Sequence, residues 1–234
     1  MSQALVDYQV TNHIATITMN DPKTLNAFST PLKGAIMEAL DKADQDNEVR
    51  VIVLQGSGNN FSSGGHIGEM LENGMESEAL VAKLDFMLRE VAEVSLKLRN
   101  IHKPIIAKLE GAVAGAGMNL ALTCDFRIAA DNAKFVQAFV NIGLIPDAGG
   151  IYLLNQLVGA AKTTELVMLG DKLTSDDVAR LDLVNKVVSA EELDNEVNVL
   201  ATRLSQLPGK ALASMKHMLN IHAFSGLNEA LGME

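Results

Sequence analysis

Twice in its first 120 residues this chain runs a short apolar stretch straight into a loop of small residues. Val49-Arg-Val-Ile-Val-Leu54 leads into GSGNNFSSGGHIG, and Pro104–Leu109 leads into EGAVAGAG. Apolar runs this short, bounded by glycine, read as buried strands. A glycine loop after a strand has two uses. It permits a tight turn and close packing, which is the commoner reason for glycine. It also bares backbone N–H groups, above all where the loop runs on into a helix, as GAVAGAGMNL does. Two such loops side by side can aim two N–H groups at one oxygen and hold a developing oxyanion. Spacing alone leaves both uses open.

Around these loops the pattern is mixed. Val10–Met19 alternates in part and reads as a strand. STPLKGAIMEALDKADQD predicts a helix, with Ser29 or Thr30 as cap and Pro31 in its first turn. Ser77–Asn100 predicts a long helix, MNLALTCD a short one, and DFRIAA and AKFV strands. Ile151 to about Gly170 is helical with a break at Gly159. Ser189–Glu192 has the capping-box pattern ahead of a helix to Leu207, and a last helix follows Pro208. Strands dominate the first 150 residues and helices alone are expected after them. The fold class is therefore α/β, with a core over residues 1–190 and a helical region over 191–234.

Composition narrows the function. A net charge of −10 argues against nucleic acid as a partner. The single cysteine, Cys124, excludes an internal disulfide and a cysteine-only metal cluster, and is expected to be a packed core thiol. MSQALVDYQV lacks the basic region and apolar run of a signal peptide, so a cytoplasmic location is expected. No stretch approaches the ~18 apolar residues of a membrane span. With no Trp and 4% aromatic residues, the core must be aliphatic, and Met215 and Met218 are expected in core or subunit contacts. Asp44 and Asp46, at a helix end, are expected to be solvated.

Familiar motifs fail. Leu120 breaks the dinucleotide fingerprint after Gly115-Ala-Gly117, and GKS, GKT, G-x-S-x-G and HExxH are missing. His217 and His222 are five apart and point to different helix faces, so no metal site is expected. One charge stands out: Asp147 sits in the apolar turn GLIPDAGG. It is either a cap for the helix beginning near Gly150 or a working acid/base.

DPKTLNAFS, VRVIVLQGSGNNFSSGGHIGEM, KPIIAKLEGAVAGAGMNLALTCDFRIAADNAKFV and NIGLIPDAGGIYLLNQLVG occur in order and at fitting intervals. In these stretches the chain resembles the crotonase superfamily, also called the enoyl-CoA hydratase/isomerase family. The resemblance implies a ClpP-like spiral of ββα units with a helical C-terminal trimerisation region, and a homotrimer or hexamer. It implies an acyl-CoA substrate, with coenzyme A part of the substrate and no separate cofactor. It places the oxyanion donors on the N–H groups of Gly65 and Ala116. Lys23, Thr24, Leu25 and Ala27, with Ser63, Gly65, His66, Ile67 and Gly115, fall on the CoA side. His66 stands where the family usually has Asp and adds a titratable group near the thioester. Family members usually continue past GLNEALGME, so truncation of the helical region is expected.

The two glutamates of the hydratases fall on Asn119 and Phe139, and neither side chain shuttles a proton. Asp147 occupies the turn where some isomerases of the family keep a catalytic aspartate. The GAGxNLAL and PDxGG motifs look most like the epoxyphenylacetyl-CoA isomerase branch of phenylacetate breakdown. The expected reaction is double-bond migration through an enolate. Asp147 would take a γ-proton of a β,γ-unsaturated acyl-CoA and return it to the α-carbon, with Asn119 bonded to Asp147 or to the substrate. The alternatives are a hydratase of altered mechanism and a silent acyl-CoA-binding subunit.

Overall fold

The computed structural model describes residues 4–70 and 77–234. The first three residues of MSQALVDYQV therefore lie outside it. The chain opens on β1 (Val6–Thr11) and β2 (Ile14–Met19), followed by α1 (Thr30–Gln45) and β3 (Val51–Gly56). Next come α2 (Ile67–Met70), α3 (Ser77–Asn100), β4 (Ile105–Leu109), β5 (Ala112–Ala114) and α4 (Ala116–Thr123). After β6 (Phe126–Ala130) and β7 (Lys134–Val136) come α5 (Gly150–Leu169), β8 (Lys172–Leu173), α6 (Ser175–Arg180) and β9 (Lys186–Val188). Then α7 (Leu193–Gln206), α8 (Gly209–Ala223) and α9 (Leu227–Met233) follow.

The larger sheet has the order β1-β2-β3-β4-β6-β9, antiparallel at β1–β2 and parallel elsewhere. A second sheet, β5-β7-β8, is extended by parallel bridges Ser62↔Val113 and Phe28↔Gly65. Each turn of chain thus leaves a strand in the large sheet, a short segment in the small one, and a helix. β3 explains its own sequence. Ile52 and Leu54 face the main core, while Val51 and Val53 face a second cluster under α7. A strand covered on both sides must be apolar at every position, as VIVL is. α7 meets that second face with Leu193, Val197, Ala201 and Leu204, one helical stripe.

Several expectations change. Val10–Met19 is not one strand: Asn12 (φ 52°) and His13 (φ 67°) form a two-residue hairpin turn between β1 and β2. Strands β8 and β9 lie beyond residue 150, and β9 completes the edge of the large sheet beside β6. Short segments with two or three apolar residues carry no period to read. Ser189 does not cap α7; Glu192 is the residue at that helix's start and no side chain caps it. The capping box lies at Thr174 and Asp177, before α6. Asp44 is not simply solvated, because it accepts from Lys97 Nζ at 3.1 Å. Met215 and Met218 are exposed on α8, not in the core. Among the described residues no helix is long and apolar enough to cross a membrane.

Asn26 fixes the loop entering α1. It is fully buried at φ 55°. Its Oδ1 accepts from Asp21 N at 3.0 Å, and its Nδ2 donates to Ser57 O at 3.0 Å and Asn60 O at 2.8 Å. This ties the 21–28 loop to the glycine loop after β3. Asn26→Ala should cost about 2–4 kcal/mol, since buried backbone groups lose their partners and alanine disfavours the left-handed backbone. Urea unfolding measures it; a cost under ~0.5 kcal/mol would show that water replaces the amide.

Candidate active site

The two glycine loops meet. Ser62 N donates to Ala112 O at 2.9 Å, and Ala114 N donates to Ser62 O at 3.0 Å. Gly64 (φ 95°) lies against Ala114 and Ala116 so closely that a Cβ there would come within 2.7 Å of Ala114 O. Gly117 is pressed onto Ser62 in the same way. These contacts consume most nearby backbone groups. Among the described residues the N–H groups of Gly65 and Ala116 have no acceptor. Ala116 is the first residue of α4, where an unpaired N–H is inherent to the helix.

Both residues line a cavity of about 240 Å³. Leu84, Met87, Leu88 and Val91 of α3 form one wall, and Phe139, Ile142, Leu144 and Ile145 form another. Ser63, Ile67 and Gly115, also placed on the CoA side by the resemblance, line it too. Lys23, Thr24, Leu25, Ala27 and His66 do not. The 23–27 loop instead buttresses Ser63, whose N donates to Leu25 O at 2.9 Å and whose Oγ donates to Thr24 O at 2.8 Å. His66 Nδ1 accepts from Glu69 N at 2.9 Å, capping α2.

Asp147 lines the cavity and is 7% exposed. It does not cap α5. Gly149 (φ 81°) occupies that position without side-chain help, and only the Asp147 main-chain carbonyl accepts from Gly150 N. Asp147 Oδ1 is buried without a partner. The turn that presents it is strained, with Ala148 at φ 55°. Burial, and then the nearby Glu234 carboxylate, push the Asp147 carboxyl up to about 7, against a partial pull downward from Lys33. Burial likewise pushes Glu234 up to about 7, although Gly149 N donates to it at 3.0–3.1 Å.

Asn119 is fully buried and does not line the cavity. Its Nδ2 donates to the Asp147 carbonyl oxygen at 2.8 Å, and its Oδ1 accepts from Gln137 Nε2 at 2.7 Å. It therefore holds the Asp147 main chain and touches neither the carboxylate nor the cavity. A Cβ at Gly150 would overlap this amide, which is why the turn needs glycine there. Phe139 lines the cavity and packs on Gly115. Cys124 is buried and its thiol is pushed up to about 12 by burial, in keeping with a core role.

Sequence reading missed Lys33, Glu90, Gln137 and Glu234. Only Lys33 left a signal: it shares the apolar register of Ile36, Leu40 and Ala43 on α1. The other three act through contacts between distant segments.

A family model described as enoyl-CoA hydratase/isomerase matches residues 9–234. The chain is 35% identical to the trans-2-decenoyl-[acyl-carrier-protein] isomerase of Streptococcus mutans, covering 97% of this chain and 86% of that one. It is 31% identical to the 1,2-epoxyphenylacetyl-CoA isomerase of Escherichia coli, covering 94% and 84%. The structure of an enoyl-CoA hydratase from Bacillus halodurans superposes with a TM-score of 0.91 at 27% identity, covering 98% of this chain and 91% of that one. With the bare amides, the two linked sheets and these likenesses together, the chain has the crotonase fold and belongs to the enoyl-CoA hydratase/isomerase family.

Proposed function

We propose that this enzyme moves the double bond of an unsaturated acyl-CoA, with Asp147 as the acid/base. The carrying observation is a single buried carboxylate with an unpartnered oxygen, lining the same apolar cavity as two bare amides. The thioester oxygen accepts from Gly65 and Ala116, which stabilise the enolate formed when a carbon-bound proton leaves. In a β,γ-unsaturated thioester the γ-hydrogen is vinylic and not acidic. The expected γ-to-α transfer therefore starts from the α,β-isomer, and the β,γ-isomer reacts by the reverse path, losing an α-proton and gaining one at γ. One carboxylate serves both ends, and the acyl-CoA supplies everything else. A carboxyl near 7 suits a group that must take and then return a proton.

Hydration needs a held water as well, and the positions that would hold it are Asn119, turned away, and Phe139. The name of the Streptococcus mutans relative specifies a carrier-protein thioester. Carrier-protein and CoA esters share the reacting carbonyl, so both belong in the substrate screen. The exposed apolar residues of α8, Met215, Met218, Leu219 and Ile221, support assembly into a trimer or hexamer.

Asp147→Asn should lower isomerisation by about 10³-fold or more while CoA-ester binding by calorimetry stays within a few-fold. Full turnover in that variant sinks the assignment; binding without turnover in the wild type favours a silent subunit. The same substitution has a second, independent consequence. A carboxyl raised to about 7 in the fold, against an ordinary ~3.9, binds its proton more tightly folded than unfolded. Its ionisation thus costs stability, from nothing below pH ~4 to the full amount above pH ~7. Asp147→Asn should therefore be more stable than wild type at pH 8, by roughly 2–4 kcal/mol, with the gap closing at pH 4. Denaturant titrations at the two pH values measure this, and a gap independent of pH would show that Asp147 is not a buried ionising group.

A further inference from the structure

The cavity carries a second charge that the proton transfer above does not use. Lys33 is 2% exposed and lines the cavity together with Asp147. It stands on the apolar face of α1, where a hydrocarbon side chain belongs. Its Nζ pairs with Glu90 Oε2 at 2.9 Å and donates to Met87 O at 3.2 Å. An ammonium has three N–H groups, so one is left without an acceptor among the described residues. Glu90, on α3, also accepts from Thr30 Oγ1 at 2.9 Å and does not line the cavity. Of the two members of the pair, Lys33 is the one that shares the cavity with Asp147. A buried pair of this kind adds little stability over well-packed apolar residues, so stability alone does not account for it.

Among the described residues the charges around Asp147 are few. Glu234 approaches from the end of α9, Lys33 from α1, and Glu90 stands behind Lys33 on α3. On α2, Glu69 is engaged with Thr30 N at 3.0 Å. From α4 and the 138–142 turn come Asn119 and Phe139, which do not titrate. Burial and Glu234 both disfavour the carboxylate, and Lys33 opposes them.

We propose that Lys33 is a positioning residue for the proton transfer: its ammonium, held by Glu90 at the wall of the cavity it shares with Asp147, favours the ionised form of that carboxyl over the protonated one. The inference rests on Asp147 being the base. It assigns the Lys33–Glu90 pair a sign as well as a place, and the sign is testable. Glu90→Gln leaves the ammonium uncompensated and should move the Asp147 titration down by about one pH unit. Lys33→Met should move it up by a similar amount. That single variant strands a buried glutamate and can fail to fold. The double variant Lys33→Met/Glu90→Met leaves no buried charge unpaired, and it should also shift the titration upward.

The titration is read by NMR of protein labelled with carbon-13 at the aspartate carboxyl, the Asp147 signal being the one lost in Asp147→Asn. The acid limb of kcat/KM against pH with a β,γ-unsaturated acyl-CoA should move the same way in each variant. Opposite shifts in Glu90→Gln and the double variant support the inference. An Asp147 titration that stays put in both, with only stability changed, overturns it and leaves the base assignment standing. Turnover that survives Asp147→Asn overturns the base assignment and this inference with it.

Discussion

The site depends on one backbone interaction, the short parallel bridge between Ser62 and Val113. It brings together two loops that follow neighbouring strands β3 and β4, and spends Ser62 N and Ala114 N on each other's strands. Among the described residues the N–H groups left unspent include one on each side of the bridge, at Gly65 and Ala116. Close approach is possible only because side chains are missing: Gly64 lies on Ala114, and Gly117 on Ser62. The glycines that permit tight packing and the amides that are left bare are two consequences of one arrangement. The two uses of glycine, which spacing could not separate, are both realised here.

The second constraint is dryness. Aliphatic side chains from α3 and from the 142–145 segment enclose the cavity, and removing water strengthens every charge inside it. In the proposed reaction the bare amides would gain from this, because they are fixed donors in apolar surroundings. Asp147 suffers from it, since its Oδ1 loses hydration without a hydrogen bond in return. A carboxylate buried in such a place destabilises the fold, and the turn that carries it, with Ala148 at φ 55°, is itself strained. The network behind it is rigid where the carboxylate is not satisfied. Gln137 and Asn119 hold the main chain, so the carboxyl stays free to meet substrate.

Much of this was legible in the residues. VIVL and IIAKL announce strands covered on both faces, Ser29 and Pro31 announce the start of α1, and the two glycine loops mark the site. What was not legible depends on distance along the chain. The pairing of β9 with β6 joins residues 58 apart at its first register position, Ile128 and Lys186, and three-residue strands carry no period to betray it. The role of Asn119 is another case. As a residue type it reads equally well as a substrate contact, and only the fold shows it turned toward the carbonyl of residue 147. Val10 on one side of Asn12–His13 and Ile14, Ile17 and Met19 on the other merge into one partly alternating run unless two consecutive left-handed residues are anticipated.

Under the proposed isomerase reading, the departures from a hydratase form a connected set. A hydratase must hold a water between two carboxylates, and a held water needs several polar partners in a fixed place. Here one of those positions carries Phe139, whose ring offers no hydrogen bond and fills cavity wall against Gly115. The other carries Asn119, drawn out of the cavity to brace the turn that supplies a different carboxylate. If Asp147 is the acid, as proposed, the two changes fit together: Phe139 offers no side chain to hold water, and Asn119 braces the turn that carries Asp147. Gly150 is the third member, because a side chain there would drive the Asn119 amide off its carbonyl. Reversing a single residue, by placing a glutamate at 119 alone, would put a carboxylate against the carbonyl oxygen of Asp147, with no donor between them. The chemistry of this cavity is set by the group and not by any one of its members.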